Sequence, residues 1–390
     1  MRELKGSIIG AAGRLLARAF GEWVPAVGFQ PKSIVVIKTC CIGDVLMATP
    51  TLSALRQSFP KSTISLVVGS WSRSVVDGNP DVDEIIDCGS IAGGRSVSAV
   101  EYFRLVRKLR RRRFECCFVL ERSALLTAIP WMAGIPVRVG LDSGGRGFSL
   151  TVRVAVPDRR HEADLYLDTV RGIGCEPRQP TLKFVPSAID QARAEAVLAR
   201  LGGAPIVAVH PGGGVNPGMS LPAKRWPAER YAAVADRLIA RGYSLLLIGD
   251  AQDRGVVNVV KEHMEGIATD LAGQLTLGEL GAVVSRCRLV VANDTGPMHL
   301  AVAVGTPVVA IFGPSDPSVY GPYRQDNAVA SSGLPCSPCF RQGRARPCSD
   351  PKCMSSLSVE TVWALVEAKL GATPGSETTG LSSIVPGVGE

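Results

Sequence analysis

No apolar run in the chain approaches the roughly 18–20 residues needed to span a bilayer, so a transmembrane helix is not expected. The N-terminus also lacks a clean secretory signal. Its apolar stretches are interrupted by Arg14 and Arg18, and no small-residue cleavage site follows. Walker A, Rossmann G-x-G-x-x-G and H-E-x-x-H patterns are all missing, which argues against kinase, dehydrogenase and zinc-protease readings. No repeat of solenoid period is found, and the 42 glycines and 27 prolines follow no collagen-like period. The 11 cysteines are odd in number, which argues against a complete disulfide framework. A cytoplasmic chain is the expectation.

What is present is a chain of 390 residues with 46% hydrophobic residues and a mean hydropathy of +0.19. That is too apolar for a largely disordered protein. At about 150 residues per domain, the length suggests two domains, each with its own core. The formal charge of +8 favours an anionic partner. Seven of the ten residues from Arg104 to Arg113 are cationic, which reads as a solvated helix face or as a surface for an anionic acceptor or the anionic leaflet beneath it. Residues 1–30 form an amphipathic segment, either interfacial or packed on the domain.

From Ser33 onward, short β-branched runs alternate with helical patterns. Ile34–Ile37, Ile64–Val68 and Cys116–Leu120 read as buried strands, and Val45–Phe59 reads as a helix. The pattern pauses at Pro177–Pro186 and restarts with a helix at 189–201. Strands follow at Ile206–Val209, Ser244–Ile248, Leu289–Val291 and Val308–Phe312, and helices at 228–241, 277–285 and 359–370. Thr276 and Glu279 have capping-box spacing. Such alternation implies parallel sheets with helical crossovers, here two doubly wound α/β domains. Ligands are then expected between them, at the carboxyl ends of the strands. The tail 371–390, rich in Gly, Ser, Thr and Pro, is expected to be disordered.

Four strand-end loops carry the candidate chemistry. In the first, Lys38-Thr39-Cys40-Cys41-Ile42-Gly43-Asp44, Asp44 is either a helix cap or a carboxylate able to accept a proton, and Gly43 allows close approach of a ligand. In the second, His210-Pro211-Gly212-Gly213-Gly214 can turn backbone N–H groups toward phosphate, with Lys224-Arg225 following ahead of a helix. The third, Gly249 to Asp253, offers a carboxylate to ribose hydroxyls. In the fourth, Asn293-Asp294-Thr295-Gly296-Pro297-Met298-His299, a helix start forms an anion site, with Thr295 and Gly296 as pyrophosphate contacts. His299 there is either an orienting donor or a structural histidine. Leu275 and Asp253 complete the expected nucleotide-binding set.

Taken in order, these loops, together with Phe312-Gly313-Pro314-Ser315-Asp316-Pro317, resemble the lipopolysaccharide heptosyltransferases of glycosyltransferase family 9 over about residues 33–370. The resemblance implies a GT-B architecture: an acceptor-binding Rossmann-like domain over 31–187 facing a nucleotide-sugar domain over 188–370. It implies metal-independent, inverting transfer of heptose from ADP-heptose to an anionic inner-core glycolipid. Asp44 would be the general base, Lys224 a phosphate contact, and Asp294, Thr295 and Gly296 the donor wall. Thr39, Gly43 and Arg110, Arg111, Arg112 and Arg113 are assigned to the acceptor. A peripheral contact with the cytoplasmic face of the inner membrane follows, whereas a nucleic-acid partner does not. Two features depart from the family: Cys40-Cys41 replaces a small pair such as Ser-Ser, and the loop Val215–Pro222 is longer. A sugar-nucleotide epimerase and a non-catalytic nucleotide-sugar binding module on the same fold are the alternatives.

Cys336, Cys339, Cys348 and Cys353 lie in a loop spanning 335–353. No cofactor is expected for catalysis. The cysteines are open to three readings, a structural zinc or iron site, free thiols, or disulfides.

Overall fold

The computed structural model describes residues 28–89, 91, 98–216, 219–323, 327–340 and 348–371, with the backbone alone at Met219. The amphipathic segment is therefore described only from residue 28, and the tail beyond 371 lies outside the described residues. No helix among the described residues is long and apolar enough to cross a membrane.

The first sheet is built from β1 (Ser33–Ile37), β2 (Thr63–Val68), β3 (Glu84–Asp87), β4 (Cys116–Val119), β5 (Val137–Asp142) and β6 (Val152–Ala155). Its helices are α1 (Ile42–Ser58), α2 (Ala99–Arg112), α3 (Ala124–Met132) and α4 (Glu162–Arg171). The strand order is β3-β2-β1-β4-β5-β6, parallel throughout. After α5 (Ala188–Leu198), a second parallel sheet repeats the topology. Its strands are β7 (Ile206–His210), β8 (Ser244–Leu247), β9 (Thr269–Asp270), β10 (Leu289–Asn293), β11 (Val308–Phe312) and β12 (Ala328–Ser331). They run in the order β9-β8-β7-β10-β11-β12. The helices of this half are α6 (Ala228–Ala240), α7 (Arg254–His263), α8 (Leu277–Val284), α9 (Gly296–Ala303) and α10 (Val359–Leu370). In both sheets the order reverses beside the first strand, which opens a crevice beyond the strand ends.

Period-two side chains divide the core. Val35 and Ile37 face a cluster beneath α2 and α3, whereas Ile34 and Val36 join a second cluster. That second cluster runs through α1 and α4 into Leu280, Val290 and Leu300 of the other half, so one apolar body connects the two sheets. A third cluster, including Val207, Val209 and Trp226, lies under α6 and α10. Burying each such side chain contributes about 1.5–3 kcal/mol.

The connection into the second half is tied down on both sides. The backbone N–H of Lys183 donates to Thr49 Oγ1 at 2.9 Å, and its ammonium pairs with the buried Asp81. The ring of Phe184 then lies against Gly281 of α8. The expected capping box is formed, with Thr276 Oγ1 accepting from Glu279 N at 3.2 Å and Glu279 accepting from Thr276 N at 2.8 Å. The sequence pattern does not reveal β3, β5, β6, β9 or β12, which lie at or next to the sheet edges.

An added methyl at Gly281 would sit 2.4 Å from the Phe184 ring. Gly→Ala in a helix normally gains up to about 1 kcal/mol, but overpacking costs about 1–3 kcal/mol. Gly281→Ala is therefore expected to lower the melting temperature. A rise would show that Phe184 does not anchor the linker.

Candidate active site

Asn293, fully buried at the end of β10, joins three loops. Its Nδ2 donates to the carbonyls of Pro211 and Gly212, each at 3.0 Å. Its Oδ1 accepts from Trp226 N at 3.2 Å and from the Tyr231 hydroxyl at 2.8 Å. The glycine loop, the Lys224–Pro227 segment and the start of α9 are thus fixed to one side chain. His210 adds a second link. Its Nε2 lies 3.1 Å from the Asp253 carboxylate, and its Nδ1 lies 3.1 Å from the Thr295 hydroxyl.

Asp253 also accepts from the backbone N–H of Gly213 at 2.8 Å. Burial raises its pKa, but His210 and the backbone donors outweigh this and hold it down to about 2. This carboxylate is engaged in clamping the loop. Gly213 is required here: φ is +93°, and a Cβ would lie 2.1 Å from the Thr295 methyl.

Thr295 is the first flanking residue of α9, yet its hydroxyl makes no cap bond. It bonds to His210 and to Asn293 O instead. The start of the helix therefore keeps open donors at the positive end of its dipole. Beside it, Lys224 Nζ lies 2.6 Å from Asp294 Oδ2, both groups nearly buried. Burial raises the Asp294 pKa, and the Lys224 charge, followed by His299, brings it below the usual range.

The facing wall comes from the first half. Asp44 lies in the first turn of α1 and is not its cap, because the cap position belongs to Cys41. Cys40 and Cys41 are joined to each other as a disulfide. Lys38, 4% exposed, stands 3.4 Å from both Asp44 and Glu121. Burial opposes its charge, but Glu121, then Asp44 and Glu162, raise its pKa. Arg122 Nη2 pairs with Glu162 at 2.5 Å. The Glu162 pKa is raised, first by burial and also by Asp44, against the pull of Arg122.

His299 fills the seam between the halves. A Cβ on Gly43 would lie 2.8 Å from its Cδ2. Burial pushes its pKa down to about 4, so at neutral pH the ring is uncharged and cannot serve as a cation for phosphate. Its Nδ1 has no hydrogen-bond partner among the described residues.

Two adjoining cavities result. One, of about 310 Å³, is lined by His210, Gly213, Lys224, Asp250, Asp253, Leu275, Asp294, Thr295 and Gly296, with apolar walls from Ile42, Trp71 and Leu280. The other, of about 400 Å³, holds Lys38, Gly43, Asp44, Glu121, Arg122, Glu162 and Tyr166 opposite Lys224, Thr295, Gly296 and His299. Lys224 and the start of α9 belong to both.

Several expected residues are not in this arrangement. Gly212 lines neither cavity and acts through its carbonyl on Asn293. Thr39 is 2% exposed, and both its N–H and its hydroxyl donate to Glu121, at 2.8 and 2.9 Å. It places Glu121 and does not face the acceptor. Arg110, Arg111, Arg112 and Arg113 end α2, which leads into β4, so they stand at the amino edge of a parallel sheet, away from the cleft. Arg112 there pairs with Glu84 at the start of β3. That placement does not suit contact with an acceptor in the cleft; the other expected partner of these arginines, an anionic leaflet, is unaffected by it.

Among the described residues, no group of three or more His, Cys, Asp or Glu is placed to hold a metal. Cys336, Cys339, Cys348 and Cys353 are neighbours, since burial and then the other three thiols raise the Cys353 pKa. They do not converge as ligands, and residues 341–347 between them lie outside the described residues. The sequence reading missed Glu121, Arg122, Glu162 and Tyr166. Glu121 and Arg122 follow β4 directly and satisfy the same strand-end rule as the four loops. Glu162 and Tyr166, on a helix, carry no local signal.

A profile of glycosyltransferase family 9 (heptosyltransferase) matches residues 102–349, more than half of the chain. Lipopolysaccharide heptosyltransferase 2 of Escherichia coli K12 is 28% identical over 303 residues, covering 74% of this chain and 85% of that protein. The solved family 9 glycosyltransferase of Veillonella parvula superposes with a TM-score of 0.74 at 27% identity, covering 87% of this chain and 97% of the other. The structure of E. coli ADP-heptose lipopolysaccharide heptosyltransferase II superposes with a TM-score of 0.69 at 24% identity, covering 87% and 98%. The two facing sheets are the expected GT-B arrangement, and the chain belongs to glycosyltransferase family 9, the heptosyltransferases.

Proposed function

We propose that this glycosyltransferase moves a heptose from ADP-heptose to an anionic inner-core lipopolysaccharide acceptor, with inversion and without a metal in the chemical step. The first half would receive the acceptor and the second the donor, at the cytoplasmic face of the inner membrane. The observation that carries this reading is one cavity with Asp44 on one wall and Lys224 with the start of α9 on the other. The name of the E. coli relative, an ADP-heptose enzyme, supports the donor.

In this reading the adenosine end of the donor occupies the 310 Å³ cavity. Its diphosphate lies at the start of α9, where open N–H groups and the Lys224 ammonium receive the growing negative charge of departing ADP. The acceptor hydroxyl approaches the anomeric carbon from the Asp44 side and gives up its proton to that carboxylate. The new glycosidic bond forms as the bond to the diphosphate breaks on the opposite face. Lys38, shared between Asp44 and Glu121, orients the base.

General-base catalysis contributes about 10²–10⁴-fold. Asp44→Asn is expected to lower kcat by that order with little change in ADP affinity, measured by coupled ADP release and by calorimetry. Turnover near that of the unaltered enzyme would remove Asp44 from this role.

Lys224 has a second duty, because its loss strands the buried Asp294, and an unpaired buried charge costs about 3–5 kcal/mol. Lys224→Met alone is expected to be both destabilised and slow. Lys224→Met with Asp294→Asn should recover the melting temperature while turnover stays low. Recovery of turnover along with stability would show that Lys224 serves only the fold.

A further inference from the structure

The outer face of α2 and α3 presents apolar side chains that the catalytic reading leaves unused. Val100 and Phe103 on α2 are 66% and 57% exposed, and Leu125 and Trp131 on α3 are 56% and 45% exposed. On α2, Tyr102, Leu105, Val106 and Leu109 face the core. The helical period therefore directs Val100, Phe103, Arg104, Arg107, Lys108 and Arg111 outward in one stripe. The only acid in α2 is Glu101. Helix α3 has no charged residue at all. The two helices pack side by side, and the Tyr102 hydroxyl donates to Leu125 O at 2.8 Å, which places the apolar first turns together.

The face has a direction. Helix α3 follows Leu120–Ser123, which line the cavity containing Asp44. The apolar first turns thus lie at the cleft edge of the sheet, and the cationic end of α2 lies at the far edge. An apolar patch at the first turns, continued by a cationic stripe along α2 and by Trp131 in the last turn of α3, has the composition of an interfacial membrane surface.

We infer that this face docks on an anionic lipid bilayer, with Phe103, Val100 and Leu125 entering the headgroup boundary and Arg104, Arg107, Lys108 and Arg111 resting on lipid phosphates. The cavity mouth then opens beside the bilayer, where a lipid-anchored acceptor presents its sugar. The docking rests on the face itself, and its benefit to turnover rests on the proposed glycolipid acceptor.

The test is co-sedimentation with vesicles of phosphatidylcholine containing phosphatidylglycerol, against phosphatidylcholine alone. The enzyme is expected to bind the anionic vesicles selectively and to be released by salt. Phe103→Asp with Leu125→Asp, and separately Arg104→Gln with Arg107→Gln and Lys108→Gln, should each reduce the bound fraction roughly tenfold or more. Melting temperature and turnover on a water-soluble, deacylated acceptor should not change, and turnover on vesicle-embedded acceptor should fall. Absence of anionic selectivity in the unaltered enzyme, or full binding by the variants, overturns the proposal. So does a change of oligomeric state in the Asp variants, which would make the face a protein interface. Failure of the unaltered enzyme on the soluble acceptor would instead count against the proposed reaction and leave vesicle binding to decide the docking face.

Discussion

The wall that the second half contributes to the cleft depends on the burial of one amide. Asn293 has no contact with solvent, so each of its polar atoms must be satisfied within the protein, and each orphaned group would cost about 1–3 kcal/mol. The loops after β7 and β10 and the segment before α6 supply the partners, and those loops line the 310 Å³ cavity. The Asp253–His210–Thr295 chain repeats the device closer to the cleft. Because Thr295 is held in that chain, it does not cap α9, and the open end of the helix borders both cavities. The uncapped helix start is a consequence of where the threonine hydroxyl is engaged.

The wall from the first half has a different logic. It is a run of opposed charges, Glu121, Lys38, Asp44, Glu162 and Arg122, gathered at the ends of β1 and β4 and the start of α4. In a low-dielectric setting such groups are costly unless paired, and here each has a partner of opposite sign. The seam between the two sides is closed by van der Waals contact. An uncharged His299 ring lies on Gly43, a position where any side chain would hold the walls apart.

Much of this was legible in the sequence. β-branched runs such as Ile34–Ile37 had to be buried strands, and the rule that parallel sheets bind ligands at strand ends located all four loops. The edge strands escaped because Glu84–Asp87 and Thr269–Asp270 are too short and polar to show a period. Glu162 and Tyr166 escaped because helix α4 reaches the site only through tertiary packing. The arginines 110–113 lie away from the cleft for a reason the sequence already contained. A helix that precedes a strand in a parallel sheet ends at the edge opposite the ligand. For Asp253, the type of residue was visible, but its consumption by His210 was not, because the two are 43 residues apart.

The proposed reaction sets Asp44 and the departing diphosphate on opposite walls of one cavity, an arrangement that would invert the anomeric centre. The most direct measurement is nuclear magnetic resonance of the product made from ADP-heptose and a deacylated, heptose-free inner-core acceptor in the presence of a chelator. The account predicts one new glycosidic linkage with the anomeric configuration opposite to that of the donor, and one ADP released per linkage. Retained configuration, release of ADP with free heptose alone, or transfer abolished by the chelator would contradict it.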